Sequence, residues 1–171
     1  MVSSNTVNLT NREAGVAIRL SNAPPDRLIG KRVVTVASTV YGSADYLDEL
    51  EAGKSDLNWL GVSCCGFHES WTKETTGNGK HAFNSDEALL TISALREGLG
   101  VSYLACHIGD AKPKLRRYCE PESRLDLGLW VLIHPESRSN TRVMTFRDFM
   151  IREIRAQRHH FAGMASPAVN S

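Results

Sequence analysis

Two adjacent cysteines and a nearby histidine form the most reactive group of side chains in the sequence. Cys64, Cys65 and His68 combine two potential thiolates with an imidazole, the donors used both by zinc sites and by thiol nucleophiles. Adjacent residues of a strand point to opposite faces, so the two thiols are poorly placed to hold one ion. No oriented third group supports a nucleophile. A small thiol or metal enzyme is therefore an alternative only.

A structural zinc site also requires a second pair of ligands. The remaining candidates are Cys106, His107 and Cys119, and their positions do not follow zinc-ligand spacing. We predict no metal site, no cofactor and no catalytic residue, and we expect the chain not to be an enzyme.

The composition is that of an ordinary globular protein. Of 171 residues 42% are hydrophobic and 23% charged, and 20 Lys and Arg balance 19 Asp and Glu. This balance shows no basic excess that would indicate a nucleic-acid groove. No apolar run approaches the ~20 residues of a membrane helix, and the start lacks the features of a signal peptide. We expect a cytoplasmic protein without membrane contact whose four cysteines are thiols.

Strand-like and helix-like segments alternate along the chain, which predicts an α/β architecture. The Val- and Thr-rich segment 31–41 is the strongest strand signal. Further strands are predicted at 14–20, 59–63, 80–83, 101–105 and 127–133, and helices at 46–51, 85–99 and 141–158.

The helix that starts at Ser85 has clear end signals. Ser85 is a good N-cap, and Gly98 is placed to end the helix in a left-handed conformation. Helical spacing then predicts which residues of this helix and of the last one face the core: Ala88, Leu89, Ile92, Leu95 and Leu99, and Val143, Phe146, Phe149, Met150 and Ile154.

Several segments resemble, in order and spacing, the effector-binding domain of LysR-type transcriptional regulators. EAGVAIR (13–19) is similar to the family's EADVAIR strand, with Gly15 in place of Asp. YGSADYL (41–47) and REGLGVSYLAC (96–106) also resemble family segments. The same holds for GDAKP (109–113), LWVLIHP (129–135) and RVMTFRDF (142–149).

This resemblance implies a two-lobed fold like that of type II periplasmic binding proteins. It assigns residues 1–33 and 119–161 to lobe I, 34–118 to lobe II and 162–171 to a flexible tail. The family's DNA-binding winged helix-turn-helix, and the opening strand–helix–strand of lobe I, have no counterpart in the sequence. We therefore expect an incomplete lobe I, under-covered strands near 16–20 and 129–133, weak stability and doubtful dimerisation, although the family forms dimers and tetramers.

The resemblance also implies a function, the sensing of a small-molecule effector in the cleft between lobes. DNA contact would occur only through the helix-turn-helix. Carboxylate ligands suit helix N-termini, where free N–H groups and the helix dipole favour anions. The implied effector-binding residues are Ser3, Ser4, Asn5, Thr39, Ser63, Cys64, Asn84 and Ser85.

Several of these assignments have a simpler alternative. Ser85 can be only a helix cap, and Thr39 only a strand residue with β-propensity. The stretch 3–6 can be a disordered start. At the level of function, the alternative to a regulator domain is a stand-alone solute-binding protein of the same lobe architecture.

Overall fold

The computed structural model describes residues 15–23, 27–62, 80–85 and 88–164. Within them the strands are β1 Val16–Leu20, β2 Ile29–Val36, β3 Ser38–Ser43, β4 Asn58–Val62, β5 Lys80–Ser85, β6 Val101–Ala105, β7 Leu115–Arg117 and β8 Leu127–Ile133. The helices are α1 Ala44–Glu51, α2 Ala88–Arg96, α3 Cys106–Gly109, α4 Thr141–Ala156 and α5 Arg158–Phe161, with short 3-10 turns at Ser123–Leu125 and Pro135–Ser139. No helix among the described residues is both long and apolar enough to cross a bilayer.

The first sheet has three antiparallel strands in the order β1-β8-β2. The apolar run LGLWVLI of β8 is central and pairs with β1 on one side and β2 on the other. The long helix α4 packs on one face of this sheet. The core between them contains Val34, Val36, Leu129, Val131 and Ile154.

The second sheet has five strands in the order β5-β4-β6-β3-β7. Strand β4 is parallel to β5 and β6, whereas β3 is antiparallel to β6 and β7. All six residues of β3 are buried, because helices cover both faces of the sheet. One core includes Tyr46 and Leu47 of α1 against Trp59, and the other includes Leu95 of α2 against Tyr41.

The predicted strand 31–41 is two strands in different sheets. Ala37 separates β2 from β3. Its N–H donates to the carbonyl of Phe161 (2.9 Å), and its carbonyl accepts from the N–H of Cys106 (2.8 Å). The backbone of Ala37 thus bonds to two helices instead of a neighbouring strand. The lobe limits remain predictions, but the chain changes sheet at Ala37 and not at the predicted 33/34 boundary.

Helix α2 ends as predicted but is rotated relative to the predicted apolar stripe. Gly98 has φ +73°, and its N–H bonds to the carbonyl of Leu95. The helix meets the sheet along Thr91 and Leu95, which are fully buried one turn apart. Leu89, two residues from Thr91, therefore lies on the opposite side and is 70% exposed.

Helix α4 begins at the predicted place and buries fewer residues than expected. The side chain of Asn140 caps it by accepting from the N–H groups of Arg142 and Val143. Ile154 is buried as predicted, but Phe146 and Phe149 are exposed, at 51% and 46%. Met150, Ile151 and Ile154 pack in the core of the first sheet, so the helix meets the sheet along that face, and Phe146 and Phe149 lie to one side of it.

The first sheet was expected to have exposed apolar side chains on the strands near 16–20 and 129–133, and only one of these strands has them. In β1, Ile18 and Leu20 are exposed. In β8, Leu132 and Ile133 are almost completely buried, because that strand has neighbours on both sides. The prediction is therefore right for β1 and wrong for β8.

Candidate binding site at the junction of the two sheets

Several strands of the second sheet end at one edge. Ser85 of β5 is paired with Val62 of β4. Trp59 of β4 is paired with Val101 of the parallel strand β6, so Val62, three residues further along, lies level with Leu104. Leu104 is in turn the partner of Thr39. The carboxyl ends of the parallel strands and the start of β3 thus form one edge beside the Ala37 crossing. In α/β sheets such an edge is where ligands bind.

The structure describes three of the eight predicted site residues, two of them by their backbone alone. The backbone of Asn84 and Ser85 lies at this edge, while their side chains are outside the described residues. Ser63 and Cys64 directly follow the edge residue Val62 but are outside the described residues, as are Ser3, Ser4, Asn5, Cys65 and His68. Their roles stay predictions. Thr39 is the one predicted site residue whose side chain is described.

The register also gives the width of the edge. From Ser85 to Thr39 there are three strand spacings, roughly 14 Å at about 4.8 Å each. A small metabolite that contacts the Ser85 end therefore does not reach Thr39 without lying along the edge.

Thr39 already has a structural partner. Its side chain is buried, and Oγ1 donates to the carbonyl of Cys119 at 2.7 Å and lies 3.4 Å from its Sγ. The neighbouring carbonyl of Val40 accepts from the N–H of Tyr118 (2.8 Å). Thr39 thus ties β3 to the segment that leads back to the first sheet, and its donor is not available to a ligand.

A buried polar network near this edge was not predicted from the sequence. Arg117 donates from Nε to Oδ1 of Asp110 (3.0 Å) and from Nη2 to Oδ2 (2.6 Å). The hydroxyl of Tyr41 donates to the same carboxylate at 2.7 Å. The side chains of Arg117 and Asp110 are only 24% and 12% exposed. Burial, and then the bond to Asp110, raise the pKa of Tyr41, so this phenol stays protonated.

The adjacent residues Arg116 and Arg117 have different environments, and only Arg116 lies on a solvated face. Arg116 is exposed and pairs with Asp48 and Glu51 of α1. Arg117 faces inward, and its bond to Asp110 is the main cause that raises its pKa.

The same arginine holds the C-terminal part of the chain. Arg117 Nη2 donates to the carbonyl of Gly163 at 2.9 Å, within the part that the sequence assigns to a flexible tail. Gly163 has φ +69°, and a Cβ there would lie 3.1 Å from Sγ of Cys106. Only glycine fits both requirements without strain. Residues 158–163, which we call the C-terminal strap, therefore join the first sheet's helix to the second sheet.

The Cys106–His107 pair is packed under this strap. The ring of His107 lies 4.7 Å from that of Phe161 and 6.4 Å from that of His160, between centroids. Burial, and then His160, lower the pKa of His107, while Asp110 opposes the shift. Burial raises the pKa of the Cys106 thiol, which makes it a poor nucleophile. No group of three or more potential metal ligands occurs in the described ranges.

These elements define a class of protein. Two sheets joined through several crossings, with strand ends at their junction, form the periplasmic-binding-protein-like type II fold of LysR effector-binding domains. This is the predicted fold class, and it is confirmed. No protein-family model matches the sequence, and no curated protein matches it significantly.

Solved structures give the particular relatives. The regulatory domain of CrgA, a LysR-type transcriptional regulator from Neisseria meningitidis, is similar with a TM-score of 0.70 at 20% identity over 88% of this chain and 80% of that domain. The effector domain of AmpR from Pseudomonas aeruginosa gives 0.68 at 14% over 92% and 79%. Full-length AphB from Vibrio cholerae gives 0.59 at 17% over 90% and 56%. At these identities the likeness establishes the fold.

Proposed function

We propose that this chain is the effector-sensing domain of a LysR-type transcriptional regulator. A small metabolite would bind at the strand edge of the second sheet and change how the two sheets are arranged. DNA contact is assigned to a winged helix-turn-helix outside this chain, and the family's dimers or tetramers to the assembled regulator. The observation that carries the proposal is the likeness to regulatory domains over most of both chains, together with an edge of converging strand ends at the junction.

The junction has the physical features that such sensing needs. An effector shifts an arrangement only if it binds one arrangement more tightly than another. Three segments cross between the sheets: Ala37, the stretch after Cys119 and the C-terminal strap. A ligand at the edge adjoins the first two, so its contacts would depend on the angle between the sheets.

The proposal is tested by a thermal-shift screen of small carboxylates and neutral metabolites against the whole chain. A ligand at 100 times its Kd adds about 2.7 kcal/mol, which raises Tm by roughly 5–10 °C in a chain of this size. Its contacts are then mapped by amide shifts, which we expect at Val62, Ser85 and Leu104. Ser85→Ala should weaken binding, whereas Ser139→Ala, on an exposed turn, should not.

A second measurement tests the regulatory part. The chain is joined to the DNA-binding part of CrgA, and DNA affinity is measured with and without the hit. We expect the affinity to change with the hit and not to change in the Ser85→Ala variant. Sequence-selective DNA binding by this chain alone, or an unchanged affinity with saturating ligand, would contradict the proposal.

A further inference from the structure

A cavity of about 360 Å³ lies in the first sheet between α4 and the beginning of β2. It is lined by Ile29, Lys31 and Val131 of the strands and by Arg147, Ile151 and Arg155 of the helix. Lys31 is five residues before Val36, which is roughly 17 Å along the strand from the end of β2. The cavity is therefore separate from the strand edge described above.

The local sequence explains why these residues meet. Arg147, Ile151 and Arg155 are spaced by four residues and so share one face of α4. Ile29 and Lys31 are the cross-strand partners of Ile133 and Val131, and partners in a ladder point to the same side of a sheet. Val131 packs with Ile154 of α4, so Ile29 and Lys31 also face the helix. The result is an apolar floor with basic side chains around it.

The charges of the cavity are not balanced. Its one acid, Asp148, already accepts from Nε and Nη2 of Arg147, at 2.9 and 2.5 Å. Among the described residues, Lys31 and Arg155 have no ion-pair partner. Arg155 lies in the last turn of α4, where the helix dipole favours a cation, and Lys31 is an exposed residue of β2. Two unneutralised cations beside an apolar floor favour an anion with an apolar body.

We propose that this cavity binds a small organic carboxylate with an apolar group. The carboxylate lies between Lys31 and Arg155, and the apolar group lies on Ile29, Val131 and Ile151. The inference goes beyond the proposed function, because the cavity is in the other sheet and does not require that the strand edge bind an effector.

The experiment uses the whole ¹⁵N-labelled chain and three probes: phenylacetate, its neutral isostere phenylacetamide and inorganic phosphate. We expect phenylacetate to shift the amides of Gly30, Lys31 and Ile151 in a saturable way. Phenylacetamide lacks the charge and phosphate lacks the apolar body, so each should bind at least about fivefold more weakly.

Charge-removing variants identify the head-group site. Lys31→Met and Arg155→Met keep most of each apolar stem, and each should weaken phenylacetate binding about fivefold, with a larger loss in the double variant. Lys54→Met, in the turn between α1 and β4, is the matched control and should bind as the parent does. Both lining cations are exposed, so the variants should fold, which their amide spectra verify. Ile151→Phe keeps both charges, reduces the cavity and should also weaken binding.

Four results would overturn the inference. Equal affinity for phenylacetamide would indicate an apolar surface without anion recognition, and equal affinity for phosphate an adventitious ion only. Unchanged phenylacetate binding in the double variant would remove the assigned head-group site. Shifts at these amides that depend on protein concentration without ligand would indicate that a second copy of the chain fills the groove. The proposed function is tested by amide shifts at other residues, Val62, Ser85 and Leu104. A failure of this inference and a failure of the proposed function are therefore seen at different amides.

Discussion

Substitution of Arg117 by methionine should destabilise the protein far more than the same change at its neighbour. The change leaves the Asp110 carboxylate with the Tyr41 hydroxyl and removes the donor that holds the Gly163 carbonyl. Removing one partner of a buried ion pair costs about 3–5 kcal/mol. Arg117 is about one quarter exposed, so we expect the lower end, about 3 kcal/mol. In a chain of this length that lowers Tm by roughly 6–12 °C.

The assay is urea and thermal unfolding at neutral pH, with Arg116→Met as the matched control. Arg116 makes only exposed ion pairs, which contribute about 0–1 kcal/mol. Arg117→Lys should recover part of the lost stability, because the ammonium group keeps the charge but cannot form the bidentate hydrogen bonds to Asp110.

Amide exchange supplies a local measurement for the same variant. The N–H of Ala37 donates to the strap carbonyl of Phe161, so a released strap should expose it, and exchange at Ala37 should accelerate more than exchange in β8. The reasoning is refuted if Arg117→Met lowers Tm no more than Arg116→Met does, or if Ala37 stays equally protected.

Three further predictions follow from single contacts. Thr39→Val leaves the carbonyl of Cys119 without its donor and should lower the urea-unfolding free energy by about 1–2 kcal/mol. Gly98→Ala forces a left-handed φ on an L-residue and should cost about 1–2 kcal/mol in the same assay. His107 has a folded-state pKa below its ordinary 6.5, so the unfolded chain takes up this proton first. Stability should then fall as the pH drops below about 6.5, and His107→Gln should flatten this part of the curve between about pH 7 and pH 5.

The elements whose positions depend on local signals could be predicted from the sequence. Gly98 ends α2 as expected because a left-handed residue after a helix is a local requirement. The apolar run at 127–133 predicts a strand there, and β8 has these bounds. The fold followed because many such segments occur in a family-like order. These signals need no knowledge of distant partners.

Other features depend on distant partners and could not be predicted. Arg116 and Arg117 are chemically alike, and only the pairing of Arg117 with Tyr41 on β3 decides which side chain faces inward. The break at Ala37 lies within a continuous Val- and Thr-rich segment, and the helices that bond to it come from residues 106 and 161. The rotation of α2 likewise reflects where the sheet lies and not the helix's own periodicity.

The C-terminal strap bears on the mechanism of the proposed effector sensing. Any change in the angle between the sheets acts on the bonds from Arg117 to Gly163 and from Ala37 to Phe161. The neutral bond of Ala37 contributes about 0.5–1.5 kcal/mol and the charged bond of Arg117 about 1.5–3 kcal/mol, while effectors typically shift an equilibrium by about 1–3 kcal/mol. The two quantities are similar, so the strap helps to set the resting arrangement against which an effector acts. Weakening the strap should therefore change the response to effector even though no strap residue lies on the strand edge.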